Sequence, residues 1–122
     1  MSTNYESDGD VIQWSNGTAA AVSANDVVKI SNTLGIALVD IAIGATGSVA
    51  IAGVFSGVPK VSAAVFAQGE KLVWDVSAGA FDDSAATPAS GDVTGAAIAW
   101  VAGANLQTTC TIKLTPGNTT VT

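Results

Sequence analysis

The sequence predicts an all-β protein, a small antiparallel β-barrel or sandwich with one short helix and a flexible N-terminal arm. Three observations favour this class. Short runs of β-branched and apolar residues recur along the 122 residues, glycine-containing turns separate them, and helical periodicity is almost absent. A chain of this length forms one domain and buries about two thirds of the surface that its unfolded form exposes.

The first half of the chain is predicted to contain four strands. The earliest apolar segment stops at the turn pair Asn16-Gly17, and the segment after it is rich in β-branched residues. Two further strands are joined by a glycine-bounded turn, which predicts an antiparallel hairpin. In chain order the predicted strands are Val11–Trp14, Asp26–Ile30, Ile36–Ile43 and Ser48–Phe55, with the hairpin turn at Gly44–Gly47.

The second half begins with the predicted helix. Ser62–Gly69 combines a capping serine, alanine-rich helix formers and a terminating glycine, which predicts one or two helical turns. The strand pattern resumes at Lys71–Trp74 and is followed by a weakly specified loop with a short edge strand at Ala80-Phe81. The last two predicted strands, Ala96–Val101 and Thr108–Leu114, form a second hairpin.

These elements divide the chain into three parts. Residues 1–10 are polar and form the N-terminal arm, residues 11–115 form a single β domain, and residues 116–122 form a polar C-terminal tail. Many apolar positions of the domain are alanine, which removes less area from water than Leu or Phe. We therefore expect association with further copies of the chain to complete the burial of apolar surface.

The composition argues against catalysis, cofactors and nucleic-acid binding. The chain has no His and no Arg, its only basic side chains are four lysines, and its net charge is −6. It lacks the usual general base and the guanidinium that clamps phosphate, and its acidic surface repels nucleic acid. The acidic pairs Asp8/Asp10 and Asp82-Asp83 do not match a calcium loop. We expect no enzymatic activity, no catalytic, cofactor-binding or metal-binding residues, and no nucleic-acid partner.

The single cysteine, Cys110, is predicted to be a structural residue. It has no second cysteine with which to form an internal disulfide. Strand alternation places it on the same face as Ile112 and Leu114, where a thiol behaves as a small hydrophobic group.

No membrane partner is expected either. The first ten residues lack the basic start and apolar core of a signal peptide. Two uncharged runs, Ile41–Pro59 and Val93–Ile112, approach the length of a membrane span but carry glycine, proline, asparagine and threonine typical of turns and strands. We therefore expect a soluble protein.

The aromatic residues suggest where the molecule makes contacts. Trp14, Trp74 and Trp100 fall on predicted strands and are interpreted as core residues or as wall residues between subunits, although tryptophan also serves as a stacking platform for sugars. Tyr5 lies in the polar arm without a local partner. We interpret it as an anchor on another protein, in preference to a residue that folds back onto its own barrel.

The order of these features resembles the capsid cement, or decoration, proteins of tailed phages, from about Asn4 to Leu114. The long Ala/Ser loop after Phe81 and the tail after Pro116 depart from the pattern of that family. The segments that carry the resemblance are Asn4-Tyr5, Gly9-Asp10-Val11-Ile12, Leu34-Gly35-Ile36-Ala37, Gly53-Val54-Phe55, Pro59-Lys60, Ala67–Asp75 and Gly95-Ala96-Ala97.

The resemblance implies a small β-rich trimer, made in the host cytoplasm, that sits on the outer surface of the expanded capsid and stabilises it. The partners would be the major capsid protein and further copies of the chain itself. We expect the arm to bind the capsid through Asn4, Tyr5, Asp8 and Asp10. We expect the trimer interface to include Phe55, Val58, Pro59 and Lys60.

Two other functions are compatible with the sequence. One is a β-rich binding module displayed on a virion or cell surface, with a glycan as a candidate ligand, which clustered exposed tryptophans would favour. The other is a structural subunit of a fibre, for which open-ended polymerisation in solution would speak.

Overall fold

The computed structural model describes residues 3, 4 and 6–122, and their secondary structure consists of strands arranged in two antiparallel sheets. The predicted all-β class is confirmed. The strands are β1 (Val11–Ser15), β2 (Val27–Ile30), β3 (Thr33–Ala37), β4 (Thr46–Ala50), β5 (Gly53–Pro59), β6 (Lys71–Asp75), β7 (Ala80–Asp82), β8 (Val93–Ala99), β9 (Thr109–Leu114) and β10 (Thr120–Val121).

The predicted helix at Ser62–Gly69 is wrong, and the described residues contain no helix elsewhere. The backbone of this segment instead bonds across to the chain after β8. Phe66 forms an isolated antiparallel bridge with Gly103, and Gly69 N donates to Ala99 O at 2.7 Å. A helix of eight residues has little stability of its own, so hydrogen bonds to a neighbouring segment outweigh its alanine-rich composition.

The small sheet has the strand order β1-β4-β3-β2, and all of its neighbours are antiparallel. The predicted hairpin is present, since Ile36 pairs with Ala50 and Ala37 with Val49. The strand predicted over Ile36–Ile43 ends at Ala37, however, and the one predicted over Ser48–Phe55 is split between β4 and β5. Leu38 N still donates to Ser48 O of β4 at 3.0 Å, and the chain then pairs with an earlier loop through the bridge between Val22 and Ile41.

The large sheet has the order β5-β9-β8-β6-β7, with β10 paired to β8. The second predicted hairpin is present, because Ala97 pairs with Leu114 across β8 and β9. The predicted edge strand is also present as β7. An isolated parallel bridge joins Lys60 to Phe81, and Val61 N donates to Phe81 O at 2.9 Å. These bonds bring the two ends of the large sheet together.

Strand β3 lies between two cores. Leu34 and Ile36 belong to the large core, whereas Ala37 belongs to a second, smaller one. Gly35 is also buried, and a Cβ built there would lie 2.4 Å from Val49 Cγ1 and 2.8 Å from Ala50 O. The large core also contains Val58, Ala64, Phe66, Leu72, Trp74, Phe81, Val93, Ala96, Ala97, Ala99, Cys110, Ile112 and Leu114; the small core also contains Val28, Ile41 and Val49.

The C-terminal residues return to the large sheet. Thr120 pairs with Thr94 and Val121 with Val93, and Thr122 N donates to Asp92 O at 2.9 Å. The last residues predicted as a polar tail therefore include the short strand β10.

Candidate functional site

The N-terminal arm leads directly into the small sheet. All of its described residues are exposed, including Asn4, Asp8 and Asp10, which were predicted to bind a capsid. Gly9 N donates to Ser7 Oγ at 3.3 Å, and Asp10 O accepts a hydrogen bond from Ile51 N at 2.9 Å. The predicted anchor, Tyr5, lies outside the described residues. The arm therefore presents carboxylates at the surface and is joined to the domain at Asp10.

Strand β1 continues this exposed surface. Its partner in the described part of the chain is β4, and each of its residues is exposed or half-buried. Gln13 Nε2 donates to Ser48 Oγ at 2.8 Å, and the hydroxyls of Ser15 and Thr46 are also 2.8 Å apart. These side-chain bonds tie β1 to β4 on one face of the sheet.

The residues predicted for a trimer interface differ in accessibility. Phe55 is half-buried and packs against the large core, and Pro59 is exposed. Val58 and Lys60 have only 2% and 4% of their surface exposed. The structure thus brings the four residues together at the end of β5, but only Phe55 and Pro59 present side-chain area that another molecule could cover.

Lys60 is a buried cation held by backbone carbonyls. Its Nζ donates to Val61 O at 2.9 Å, to Gln107 O at 3.2 Å and to Ser62 O at 3.3 Å, and it lies 5.7 Å from the centre of the Phe66 ring. An ammonium has three donors, and all three find an acceptor here. Burial of a charge is costly unless it is satisfied in this way. Lys60 therefore fastens the segment after β5 to the segment before β9.

These two segments, residues 61–69 and 99–107, lie side by side and will be called the ribbon. Phe66 N donates to Gly103 O at 3.1 Å, Gly103 N returns a bond to Phe66 O at 2.9 Å, and Leu106 N donates to Ser62 O at 2.8 Å. Phe66 points inward and is 2% exposed. The Phe66 ring fills the space beside Gly103, where a built Cβ would lie 2.5 Å from it. The ribbon is thus anchored to the large core along its inner side.

Four large apolar side chains of the ribbon are open to solvent. Val65 is 59% exposed, Trp100 47%, Val101 53% and Leu106 78%. Lys113 Nζ lies 5.9 Å from the centre of the Trp100 ring. Trp100 was predicted to be a core residue or a wall between subunits. Of the tryptophans, Trp74 is buried and Trp14 is half-buried.

Local sequence patterns do not predict this surface. The helix predicted over 62–69 concealed it, because the pairing of this segment with 99–107 is a long-range feature. One signal was available: residues 61–69 and 93–112 contain no charged side chain, although the chain carries ten acidic residues.

The described residues offer little chemistry for a reaction. Cys110 is buried, as predicted, with 8% of its surface exposed. Burial raises the pKa of its thiol to about 11, so the nucleophilic thiolate is scarce at neutral pH. No three His, Cys, Asp or Glu residues in the described part of the chain are grouped to hold a metal ion. Within the same residues, no helix is long and apolar enough to cross a membrane.

One carboxylate organises the loop that follows β7. Glu70 accepts hydrogen bonds from Ser84 N at 2.9 Å, Ser84 Oγ at 3.0 Å and Ala67 N at 3.1 Å. The backbone bond from Ser84 is the main reason that the pKa of Glu70 lies below its ordinary value. The ionised form of Glu70 therefore fixes this loop against the ribbon.

Comparison with known proteins now assigns the chain. A family model described as phage cement protein matches residues 7–114, which include strands β1 to β9. The chain belongs to the phage cement protein family. No curated protein and no solved structure matches it. Membership identifies a structural protein of the phage capsid and argues against an enzymatic role.

Proposed function

We propose that this protein binds the outer surface of the expanded phage head as a homotrimer and stabilises the shell without catalysing a reaction. The observation that carries the proposal is the match of residues 7–114 to the phage cement family. The scarcity of reactive groups at the surface is compatible with it. A protein of this kind acts by adding contacts between neighbouring capsid subunits, so its effect depends on the number of copies bound.

The N-terminal arm is the proposed contact with the major capsid protein. Asn4, Asp8 and Asp10 are exposed, and we assign the anchoring role to Tyr5. A polar arm can follow the surface of several capsid subunits, and the entropy lost on ordering is offset by the contacts formed. Carboxylates also favour a partner surface of opposite charge.

The trimer contact is proposed to include the end of β5. Phe55 and Pro59 supply side-chain area at the surface, whereas Val58 and Lys60 act from beneath by holding this part of the chain in position. Three linked copies that each bind weakly attach to the shell more strongly than one copy, because the second and third contacts form at high effective concentration.

Deletion of residues 1–8 tests the capsid contact. We expect the truncated protein to keep its oligomeric mass by light scattering and to lose co-sedimentation with expanded empty heads. Tyr5→Ala in the full chain separates the anchor from the rest of the arm and should weaken head binding without abolishing it. Full decoration of heads by the truncated protein would contradict the assignment of the arm.

A further inference from the structure

We propose that the outer side of the ribbon, formed by Val65, Trp100, Val101 and Leu106, is a surface through which copies of this chain bind one another. The inference rests on the proposed function, which it deepens by naming the partner that covers this surface. It adds residues on two separate segments to the contacts at the end of β5.

The four side chains are strongly exposed to solvent. Each of the four side chains has close to half or more of its surface in water, from 47% at Trp100 to 78% at Leu106. The backbone bonds between Phe66 and Gly103 and between Ser62 and Leu106 hold their two segments next to each other. Single exposed hydrophobic residues are ordinary, but several on adjoining segments are typical of a protein contact.

The backbone of Leu106 adopts an unusual conformation for its residue type. Its φ is 74°, in the left-handed region that glycine and asparagine occupy readily and that a bulky residue rarely adopts. Its side chain is the most exposed of the large hydrophobic residues described, so interior packing does not account for leucine at this position. Strain of this kind persists where the surrounding structure enforces it and is associated with functional contacts.

The ribbon is held rigidly from its inner side. Three carbonyls, two from one segment of the ribbon and that of Gln107 from the other, bind the buried ammonium of Lys60. Burying this ammonium is costly, and the hydrogen bonds it makes hold in place two segments whose outer side chains are exposed. A surface that is ordered before contact loses less entropy when a partner binds, which favours affinity.

Charge identifies the partner as another copy. The chain has a net charge of −6, so identical molecules repel one another wherever carboxylates face carboxylates. Neither segment of the ribbon contains an ionisable residue. The cation of Lys113 lies 5.9 Å from the centre of the Trp100 ring, and the Glu70 carboxylate accepts a hydrogen bond from Ala67 N at the end of one segment. A partner of opposite charge would bind the acidic arm. An identical acidic copy binds with least repulsion through apolar side chains on segments that carry no carboxylate.

The position of the ribbon agrees with this assignment. Lys60 N donates to Thr108 O at 2.9 Å, and Pro59 pairs with Thr109 across β5 and β9. The exposed Pro59 therefore adjoins the base of the ribbon, and the two surfaces can belong to one contact.

Leu106→Gly in the full chain tests the proposal. Glycine relieves the positive φ and removes an exposed side chain, so we expect the monomer to be at least as stable and self-association to weaken about tenfold or more, as for a residue at the centre of an interface. Sedimentation equilibrium measures the dissociation constant, and thermal denaturation at low concentration measures the monomer. Asn25→Gly is the matched control, since Asn25 is exposed and has a φ of 77° but lies outside the ribbon.

A second pair of variants covers the case in which Leu106→Gly fails to fold. Val101→Asp places a carboxylate on the ribbon and should dissociate the oligomer, whereas Ile43→Asp alters a side chain that is 61% exposed outside the ribbon and should not. Unchanged association of the ribbon variants would overturn the inference. So would normal association with reduced head binding, which would assign the ribbon to the capsid protein, and so would a wild-type chain that is monomeric at every concentration. Head binding by the wild-type chain, measured separately, decides the proposed cement function.

Discussion

The N-terminal arm and the ribbon are both exposed, but they differ in charge and in how they are held. The arm carries Glu6, Asp8 and Asp10 and is tied to the domain by the bond between Asp10 and Ile51. The ribbon has no charged residue and is fastened by a buried ammonium and by the Phe66 ring. A charged, exposed segment suits a partner of opposite charge, and a rigid surface without charged residues suits a second copy. The comparison teaches that an acidic protein can separate its contacts by where it places its carboxylates.

The largest expected effect concerns the fastening of the ribbon. Lys60→Ala leaves three backbone carbonyls without their shared donor and removes a side chain that is only 4% exposed, and we expect it to lower the free energy of unfolding by about 2 kcal/mol. Self-association should weaken as well, because the ribbon becomes mobile. Denaturant titration measures the first effect, and sedimentation equilibrium measures the second.

Lys29→Ala is the control for this comparison. Lys29 is exposed, and its recorded hydrogen bond goes to Gly91 O at 2.8 Å. We expect its removal to cost less than about 1 kcal/mol, as is usual for exposed charged groups. Equal losses in the two variants would show that the carbonyls around Lys60 do not depend on the ammonium.

Salt should separate the two surfaces by a smaller but clear effect. Raising the NaCl concentration from about 50 to 500 mM screens exposed charges, so head binding through the acidic arm should weaken several-fold. Association through the uncharged ribbon should not weaken, because salt there reduces repulsion between acidic copies. Head co-sedimentation and light scattering over the same salt series measure the two responses. Parallel weakening of both would remove the distinction between the arm and the ribbon.

The smallest effect is expected at the loop that Glu70 binds. The pKa of Glu70 is lowered from 4.5 in the folded protein, so the stabilisation is fully present above pH 4.5 and is lost as the pH falls through the folded-state value. Glu70→Gln should therefore be less stable than the wild type near neutral pH, and the difference should shrink in acid. Melting temperatures as a function of pH measure it. Glu6→Gln in the arm is the control, and an equal pH dependence there would contradict the role of Glu70.

Local patterns were sufficient for much of the fold. The β-branched run at β2, the alternation that buries Cys110 within β9 and the glycine turns predicted strands and hairpins that the structure contains. Each of these features depends on residues a few positions apart, so side-chain type and the two-residue alternation of a strand are enough to predict it. The acidic character of the arm is likewise a property of sequence.

Long-range pairing decided the rest. The segment 62–69 has the composition of a short helix, yet its backbone bonds to Ala99, Gly103 and Leu106 join residues 30 to 44 positions apart. Lys60 was predicted for the trimer interface, and nothing in its local sequence indicates that carbonyls of Val61, Ser62 and the distant Gln107 enclose its ammonium. The exposure of Trp100 and Leu106 follows from the pairing of the same two segments, residues 61–69 and 99–107. The sequence by itself determined the fold class and the placement of charge; the tertiary structure decided which neutral residues remain at the surface, because burial is set by which distant segments come together.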